Sequence, residues 1–388
     1  MNTFIFQTGH GKGLARKEIE SIFGDCIIEE VYDGFVLEAD IEDPIKTLDG
    51  MGGIVRITEV VQSGPSHMPL NFEAWVIDAL KDAFEGKSGK SRYGLSIHPK
   101  SEKILKKCLI GSKKNLKEIV GNLRFINKDF HNLSSVQAWH EGLLKDNAIE
   151  LHLFKGDKKW YLSKTLAIQN FEWYSKRDYD RPAKSAKNGM FPPKLAQILI
   201  NLSGADNLVF DPFCGSGTVL QEALLKGLKA IGSDLSTEMV ADTRTNLEWL
   251  STLTDKAEDY SLFQADATRL TVNQLPAEDF TIVTETWLGP LMTEYPSPLE
   301  LPKIQREIEA VYEAFFDNLR RIVKSPTTIV FTAPYHKNKA DRHFLPRLPE
   351  ILRLNTKIVP LSEHERPSMF YERKQQVVGR EIWKLIVG

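Results

Sequence analysis

The segment Val209-Phe-Asp-Pro-Phe-Cys-Gly-Ser-Gly-Thr218 constrains this chain more than any other. A short apolar run, Leu208-Val-Phe210, ends in an acid and a proline. A Gly-rich turn follows, and Gly217 to Lys226 then reads as a helix. Glycines in such a strand-to-helix turn let the backbone approach a ligand where a Cβ would collide. In an open α/β sheet the turn lies at the carboxyl end of its strand, where these sheets bind ligands. A phosphate-binding loop is the nearest competitor. It fails because the turn contains no Gly-Lys-Ser/Thr and no lysine. Asp211, Pro212, Phe213, Gly215, Gly217 and Thr218 are therefore candidate ligand contacts.

Two further acids follow at strand ends. Asp234, in Ile231-Gly-Ser-Asp-Leu235, lies about twenty residues beyond the glycines. A carboxylate there can accept from both hydroxyls of a ribose. Asp266, in Gln264-Ala-Asp-Ala-Thr268, suits the amino group of an adenine, with Leu235 and Ala267 beside the same ligand. Each acid also has a plainer reading. Asp234 precedes the helix N-cap candidate Ser236, and Asp266 fits a turn.

The surrounding pattern alternates strands and helices. Strands are expected at Ala230–Gly232, Ser261–Phe263, Phe280–Val283, Thr328–Phe331 and Lys357–Val359, and helices over 236–250 and about 304–323. This argues for a mostly parallel α/β sheet with helices on both faces. It occupies residues 166–388, opening with a connector to about 190. The last run, Arg380 to Val387, is expected to pair antiparallel at an edge.

A chain of 388 residues exceeds one ordinary core. Two earlier regions separate from the alternating part. Residues 1–65 read as short strands with one or two helices. Residues 66–165 open with an amphipathic helix, Phe72 to Phe84, whose Ala74, Ile77, Leu80 and Phe84 share a face. They close with strand-like runs at Ile149–Phe154 and Trp160–Leu162.

The net charge is only −2, but its distribution is uneven. Residues 1–86 hold 6 Lys/Arg against 16 Asp/Glu, whereas residues 87–128 hold 12 against 2. A local excess of this size is the footprint of a surface facing phosphates, with Lys106, Lys107, Lys113 and Lys114 its densest part. The plainer alternative is a solvated basic face. Cys26, Cys108 and Cys214 form no CxxC pair and no zinc spacing, so neither a disulfide framework nor a structural metal is expected. No stretch approaches a membrane span, and the first residues lack the features of a secretory signal. A reducing cytoplasm is the expected setting.

Taken together, several segments resemble the tRNA guanine-N2 methyltransferases that act at the base of the D-arm, within the wider group of THUMP-domain methyltransferases. They are Arg177-Asp-Tyr-Asp-Arg-Pro182, Gly189-Met-Phe-Pro-Pro-Lys-Leu-Ala196, Asp211 to Thr218, Gly232-Ser-Asp234 and Gly379-Arg-Glu-Ile382. The resemblance implies a Rossmann-like class I methyltransferase domain with a mostly parallel seven-stranded sheet. Ferredoxin-like (1–65) and THUMP-like (66–165) domains of α+β type precede it. It further implies S-adenosylmethionine as cofactor and tRNA as partner, with Pro192 beside the cofactor's methionine part. Arg177 and Arg181 become candidates for meeting phosphate or orienting the connector, with Lys184 and Lys187 adding charge. Some members of the family need a small zinc-binding activator subunit.

The chain departs from the family at one point. Amino-methyltransferases usually carry Asp/Asn/Ser-Pro-Pro-aromatic after the fourth strand. A side-chain oxygen and a main-chain carbonyl accept from a poorly nucleophilic amino nitrogen, and the aromatic ring stacks on the base. Here the segment reads Thr284-Glu-Thr-Trp287, with neither proline. Thr284 takes the usual acid position, Glu285 stands next to it as an alternative acceptor, and Trp287 supplies the stacking face. The expected activity is N2-methylation of a tRNA guanosine. Amino-methylation of DNA or ribosomal RNA, and a tRNA-binding protein with an inactive site, stand beside it as alternatives.

Overall fold

The computed structural model describes residues 2–9, 11–87, 89–117, 119–120, 122–184, 191–338, 341–364, 366–373 and 376–388. Lys187, Gly189 and Met190, singled out above, lie outside the described residues. The chain divides into two compact units, Met1–Phe171 and Glu172–Gly388. Among the described residues no helix is long and apolar enough to cross a membrane.

The first unit runs β1 (Asn2–Thr8), α1 (Lys12–Phe23), β2 (Ile27–Val31), β3 (Gly34–Ala39), α2 (Pro44–Asp49) and β4 (Ile54–Pro65). It continues with α3 (Phe72–Phe84), β5 (Lys90–His98), α4 (Glu102–Leu116), β6 (Asn122–Phe125), α5 (Ser135–His140), β7 (Ala148–Lys155) and β8 (Lys159–Ile168). These eight strands form one sheet in the order β2-β3-β1-β4-β8-β7-β5-β6. The break expected near residue 65 falls at the end of β4. There β4 pairs antiparallel with β8 over Arg56–Pro65, so segments 1–65 and 66–165 share a sheet. Pairing satisfies a strand edge that would otherwise stay open.

Strand alternation organises this unit's core. Leu151 and Leu153 of β7 pack with Val76, Leu80, Leu105 and Leu109 of α3 and α4. Glu150 and His152 take the opposite face, where Arg56 donates to Glu150 at 3.0 Å. Helix α3 has the expected span, but its fully buried row is Trp75, Val76, Leu80 and Phe84, while Ala74 and Ile77 are half-buried. The helix packs on α4 as well as on the sheet, so its buried stripe is wider than a single row.

The second unit begins with α6 (Phe171–Ser175), which starts at the boundary and runs into a π-helical turn, Lys176–Asp180. Then follow α7 (Pro193–Ser203), β9 (Leu208–Asp211), α8 (Thr218–Leu225), β10 (Lys229–Asp234), α9 (Thr237–Ser251), β11 (Tyr260–Gln264) and β12 (Thr281–Glu285). The chain ends with α10 (Leu301–Ile322), β13 (Thr327–Asn338), β14 (Asp341–Phe344), α11 (Leu348–Asn355), β15 (Lys357–Val359), β16 (Met369–Tyr371) and β17 (Val378–Val387). The sheet order is β11-β10-β9-β12-β13-β17-β15, with β14 added on β13 and β16 on β17. Strands β9 to β13 are parallel. Strand β17 lies antiparallel between β13 and β15, so the last run is an interior strand and not the expected edge. Its apolar residues Ile382, Trp383, Leu385 and Val387 are buried, as an interior position requires.

Chain order reverses between β9 and β12. Such a switch point leaves a crevice beyond the carboxyl ends of the strands. Beneath it, Ile308, Tyr312, Phe315, Phe316 and Leu319 of α10 pack on Phe210, Ile282, Ile329 and Phe331. Each such buried side chain stabilises the unit by about 1.5–3 kcal/mol relative to exposure.

Candidate active site

The Gly-rich turn occupies the switch point. Gly215 and Gly217 have φ of 51° and 86°, left-handed values that a side chain adopts only with strain. A Cβ at Gly217 would stand 2.8 Å from Thr243 Cγ2. One at Gly215 would meet nothing within 4 Å, so this glycine borders open space. Helix α9 braces the turn from below. Thr243 donates to the Gly215 carbonyl at 2.7 Å, and Asn246 donates to the Ser216 carbonyl at 2.9 Å.

Asp234 ends β10 beside this turn. Its Oδ2 accepts from Gly215 N at 3.0 Å and its Oδ1 from Ser236 N at 2.9 Å. A carboxylate offers about four lone-pair sites, so acceptor capacity remains for a ligand. Leu235 is 68% exposed and offers an apolar surface directly after it. Asp266 uses Oδ1 to accept from both the backbone N–H (2.9 Å) and the hydroxyl (2.7 Å) of Thr268. The turn reading of Asp266 is thus present in the structure, and Oδ2 lies 3.7 Å from the exposed Arg269. Ala267 and Pro212 are buried, and Phe213 packs edge-on against Phe315 at 5.1 Å. Pro192 is the N-cap residue of α7, where its carbonyl accepts from Ala196 N at 3.0 Å.

Asp211 itself is buried. Its Oδ1 accepts from Phe213 N at 3.1 Å and from the Thr284 hydroxyl at 2.6 Å. Burial pushes its carboxyl up to about 7; the two hydrogen bonds oppose the shift, and the charges of Asp234 and Glu285 add to it.

Burial alternates over the end of β12 and the two residues after it. Thr284 has no exposed surface, and its hydroxyl donates a hydrogen bond to Asp211. Thr286, also buried, donates to the Thr332 carbonyl at 2.7 Å and meets the Tyr312 hydroxyl. Tyr312 in turn donates to the Trp287 carbonyl at 3.2 Å. Glu285 is half-buried, and Trp287, beyond the strand, is 40% exposed. Thr284 is therefore corrected from acceptor to strut, because its hydroxyl is committed inside the sheet. Glu285 pairs with Arg380 of β17, whose guanidinium lies 5.7 Å from the Phe191 ring centroid. Sequence reasoning missed Thr243, Asn246 and Tyr312. It named Gly379–Ile382 only as a resemblance, because nothing local to Arg380 shows that it reaches β12.

Arg177 and Arg181 are not phosphate contacts as placed. Arg177 is 2% exposed and grips the buried Glu222 through two bonds, Nε–Oε1 at 2.8 Å and Nη2–Oε2 at 3.2 Å. Its guanidinium also stacks 4.4 Å from the Tyr174 ring centroid. Arg181 is fully buried and donates to the Thr218 hydroxyl at 2.7 Å. Both anchor the connector to α8. Lys106, Lys107, Lys113 and Lys114, by contrast, are exposed on α4. Lys106 lies over the Phe130 ring and Lys113 over Phe125.

A parallel sheet of this strand order, with an antiparallel β17 beside β13 and a Gly-rich turn at the switch point, defines the class I methyltransferase fold. TrmN from Thermus thermophilus shares it at a TM-score of 0.52 and 15% identity, covering 99% of this chain and 98% of that one. A second methyltransferase structure, SMU.472 complexed with SAH, gives 0.51 and 13%, covering 100% and 99%. Two family profiles match: "RMKL-like, methyltransferase domain" over residues 181–343 and "DNA methylase" over residues 74–244. The chain is similar to curated tRNA (guanine(10)-N2)-dimethyltransferases, as the sequence motifs indicated. That of Pyrococcus abyssi is 29% identical over 51% of this chain and 54% of the relative. That of Methanothermobacter thermautotrophicus is 27% identical over 46% and 48%. The match to the Methanocaldococcus jannaschii enzyme is 30% over 46% and 47%. The chain thus spans about half the length of the curated relatives it matches.

Proposed function

We propose that this protein is an S-adenosylmethionine-dependent methyltransferase that methylates N2 of a guanosine in tRNA. The observation that carries this reading is the pairing of two constellations on one sheet edge. The Asp234–Gly215 cradle stands at the switch point, and Glu285 ends the neighbouring strand β12, with Trp287 two residues beyond it. The named activity of the curated relatives supports the choice of tRNA and guanosine.

The open space at Gly215 and the spare acceptor capacity of Asp234 suit the cofactor's nucleoside. Asp234 accepts from the ribose hydroxyls, Leu235 and Ala267 flank the adenine, and Asp266 accepts from its amino group. The turn from Asp211 to Thr218 and Pro192 flank the methionine part. When bound, the cofactor supplies a methyl group on a positively charged sulfonium. Glu285 accepts from the target amino group, and Trp287 stacks on the base. The chain's contribution is chiefly positioning and hydrogen-bond acceptance. The target base has to leave its stack to reach this edge.

In the first unit we read residues 1–65 as ferredoxin-like and 66–165 as THUMP-like. The βαββαβ order of β1 to β4, with strands arranged 2-3-1-4, supports the first assignment. Exposed lysines 106, 107, 113 and 114 are read as phosphate contacts. The protein acts in the cytoplasm, in keeping with free thiols at Cys26, Cys108 and Cys214. A small zinc-binding activator is the partner to co-express when the purified chain is assayed.

Labelling pooled tRNA, ribosomal RNA and DNA with radioactive cofactor tests the reading, followed by nucleoside mass spectrometry. Label in tRNA N2-methylguanosine is expected. Label confined to DNA establishes the second reading, amino-methylation of DNA, which the DNA methylase profile over residues 74–244 favours. Tight tRNA binding without transfer, even with the activator present, establishes an inactive tRNA-binding protein.

A further inference from the structure

Glu285 is the last residue of β12, and Arg380 lies near the start of β17. Strand β13 runs between them: Glu285 aligns with Thr332, and Arg380 with Pro334. The Arg380 side chain therefore reaches across one strand to place Nε on Glu285 Oε1. Arg380 is 6% exposed, so its charge is removed from solvent by the fold. Its next neighbour, Glu381, points to the opposite face and binds Arg366 and Ser368, so it does not compete for the guanidinium. The guanidinium also lies over the ring of Phe191, the residue before Pro192. Glu285 Oε1 is thus engaged by Arg380, and its side chain remains 20% exposed, two residues before the exposed Trp287.

We propose that the Glu285–Arg380 pair selects guanine. Glu285 acts as the base-reading carboxylate, and Arg380 is the residue that positions it. The inference rests on the amino-methyltransferase reading and adds the origin of its base choice. An ionised carboxylate only accepts hydrogen bonds. Guanine presents two neighbouring donors, N1–H and the N2 amino group, so a carboxylate satisfies both. Adenine and cytosine each set a ring-nitrogen acceptor beside their amino group, and that acceptor meets the carboxylate with repulsion. Sites built around such pairing reject a base that leaves a buried polar group unpaired. Arg380 fixes the rotamer of Glu285 by holding one oxygen. The contact with Phe191 aligns the pair with the segment that opens α7, on the cofactor side.

The test uses full-length parent, R380M, R380K and E285Q with tRNA from cells lacking the gene. Transfer is measured at saturating and limiting tRNA, and cofactor affinity by calorimetry. R380M is expected to lose about 100-fold in kcat, the scale of a misplaced catalytic group. Its KM for tRNA and its cofactor affinity stay within about twofold of the parent. R380K, which keeps the charge, regains most of the loss. E285Q offers one acceptor and one donor, so guanosine methylation falls by about 100-fold or more. If R380M does not fold, E285Q and R380K still decide. Parent-like kcat in E285Q, or in a folded R380M, overturns the inference and leaves the proposed function standing. A parent that transfers no methyl to tRNA guanosine, with or without the activator, overturns the proposed function itself.

Discussion

The hydroxyl of Thr284 donates to the carboxylate of Asp211 across 2.6 Å, and both residues are buried. This bond ties β12, which leads to the segment Glu285–Trp287, to β9, which leads to the Gly-rich turn. Removing it loosens the turn without touching the exposed groups. Thr284→Val is expected to weaken cofactor binding by about 1 kcal/mol, the net worth of one hydrogen bond. Calorimetry with S-adenosylmethionine reads the change. A cofactor affinity equal to the parent's, with transfer abolished, would instead return Thr284 to the role of direct acceptor.

Asp234 accepts two backbone N–H groups and retains room for ligand hydroxyls. Asp234→Ala is expected to cost about 1.5–3 kcal/mol of cofactor affinity for each charged hydrogen bond lost. Calorimetry on a variant with a parent-like melting curve checks this. Unaltered affinity would falsify the assignment of Asp234 to the ribose.

Trp287 is 40% exposed, two residues beyond Glu285. Trp287→Ala is expected to lower RNA affinity by about 1–3 kcal/mol, the scale of one base–aromatic stack. Transfer slows as well. Filter binding and single-turnover kinetics report the two effects. If neither changes, the ring does not touch the substrate.

The exposed lysines of α4 carry the strongest local charge. Reversing charge at Lys106, Lys107, Lys113 and Lys114 is expected to weaken tRNA binding. The slope of log affinity against log salt should shrink by up to about 3, since each lost phosphate contact no longer releases counterions. Cofactor affinity stays the same. Binding and slope both equal to the parent's identify a solvated face.

Arg177 makes the opposite prediction. It is locked onto buried Glu222, whose carboxyl burial pushes up while Arg177 pulls it down. Arg177→Ala leaves the buried Glu222 carboxyl without its guanidinium partner and is expected to destabilise the second unit by about 3–5 kcal/mol. Urea unfolding measures the loss. RNA affinity of the folded fraction should not change, and a stable variant with weakened RNA binding would restore Arg177 as a phosphate contact.

Asp211 gives the second unit a pH signature. Its carboxyl is pushed up to about 7 by burial, above its ordinary value of 3.8. The folded state therefore holds this proton more tightly than the unfolded chain. Its contribution is fully present below about pH 4 and is lost as pH rises through about 7. His336 of the same unit, pushed down to about 4 by burial, works in the opposite direction over much of this window, as His152 does in the first unit. The informative quantity is thus the difference between the parent and Asp211→Asn, which keeps the acceptor oxygen. Between pH 5 and pH 8 the parent is expected to lose about 2–4 kcal/mol relative to the variant in denaturant titrations. Parallel pH profiles would place the Asp211 carboxyl in its ordinary range.

Local pattern alone determined much of this protein. The strand–glycine–helix order around Asp211–Thr218, the acid ending β10, and the alternation of strands and helices after residue 190 are short-range features, set by backbone freedom and side-chain period. The span of α3 was legible for the same reason, since its apolar spacing matches a helical turn. What lay beyond reach were contacts between residues distant in the chain. Nothing near Arg177 in sequence shows that it is spent on Glu222, 45 residues later, or near Thr284 that it is spent on Asp211, 73 residues earlier. Arg380 finds Glu285 across 95 residues because β17 inserts beside β13 instead of closing the edge. The union of segments 1–65 and 66–165 in one sheet has the same origin, the pairing of β4 with β8. Residue type and spacing set which elements form. Which polar groups stay free for ligand is decided only when the tertiary fold buries some and pairs them, because a buried polar group has to find a partner inside the protein.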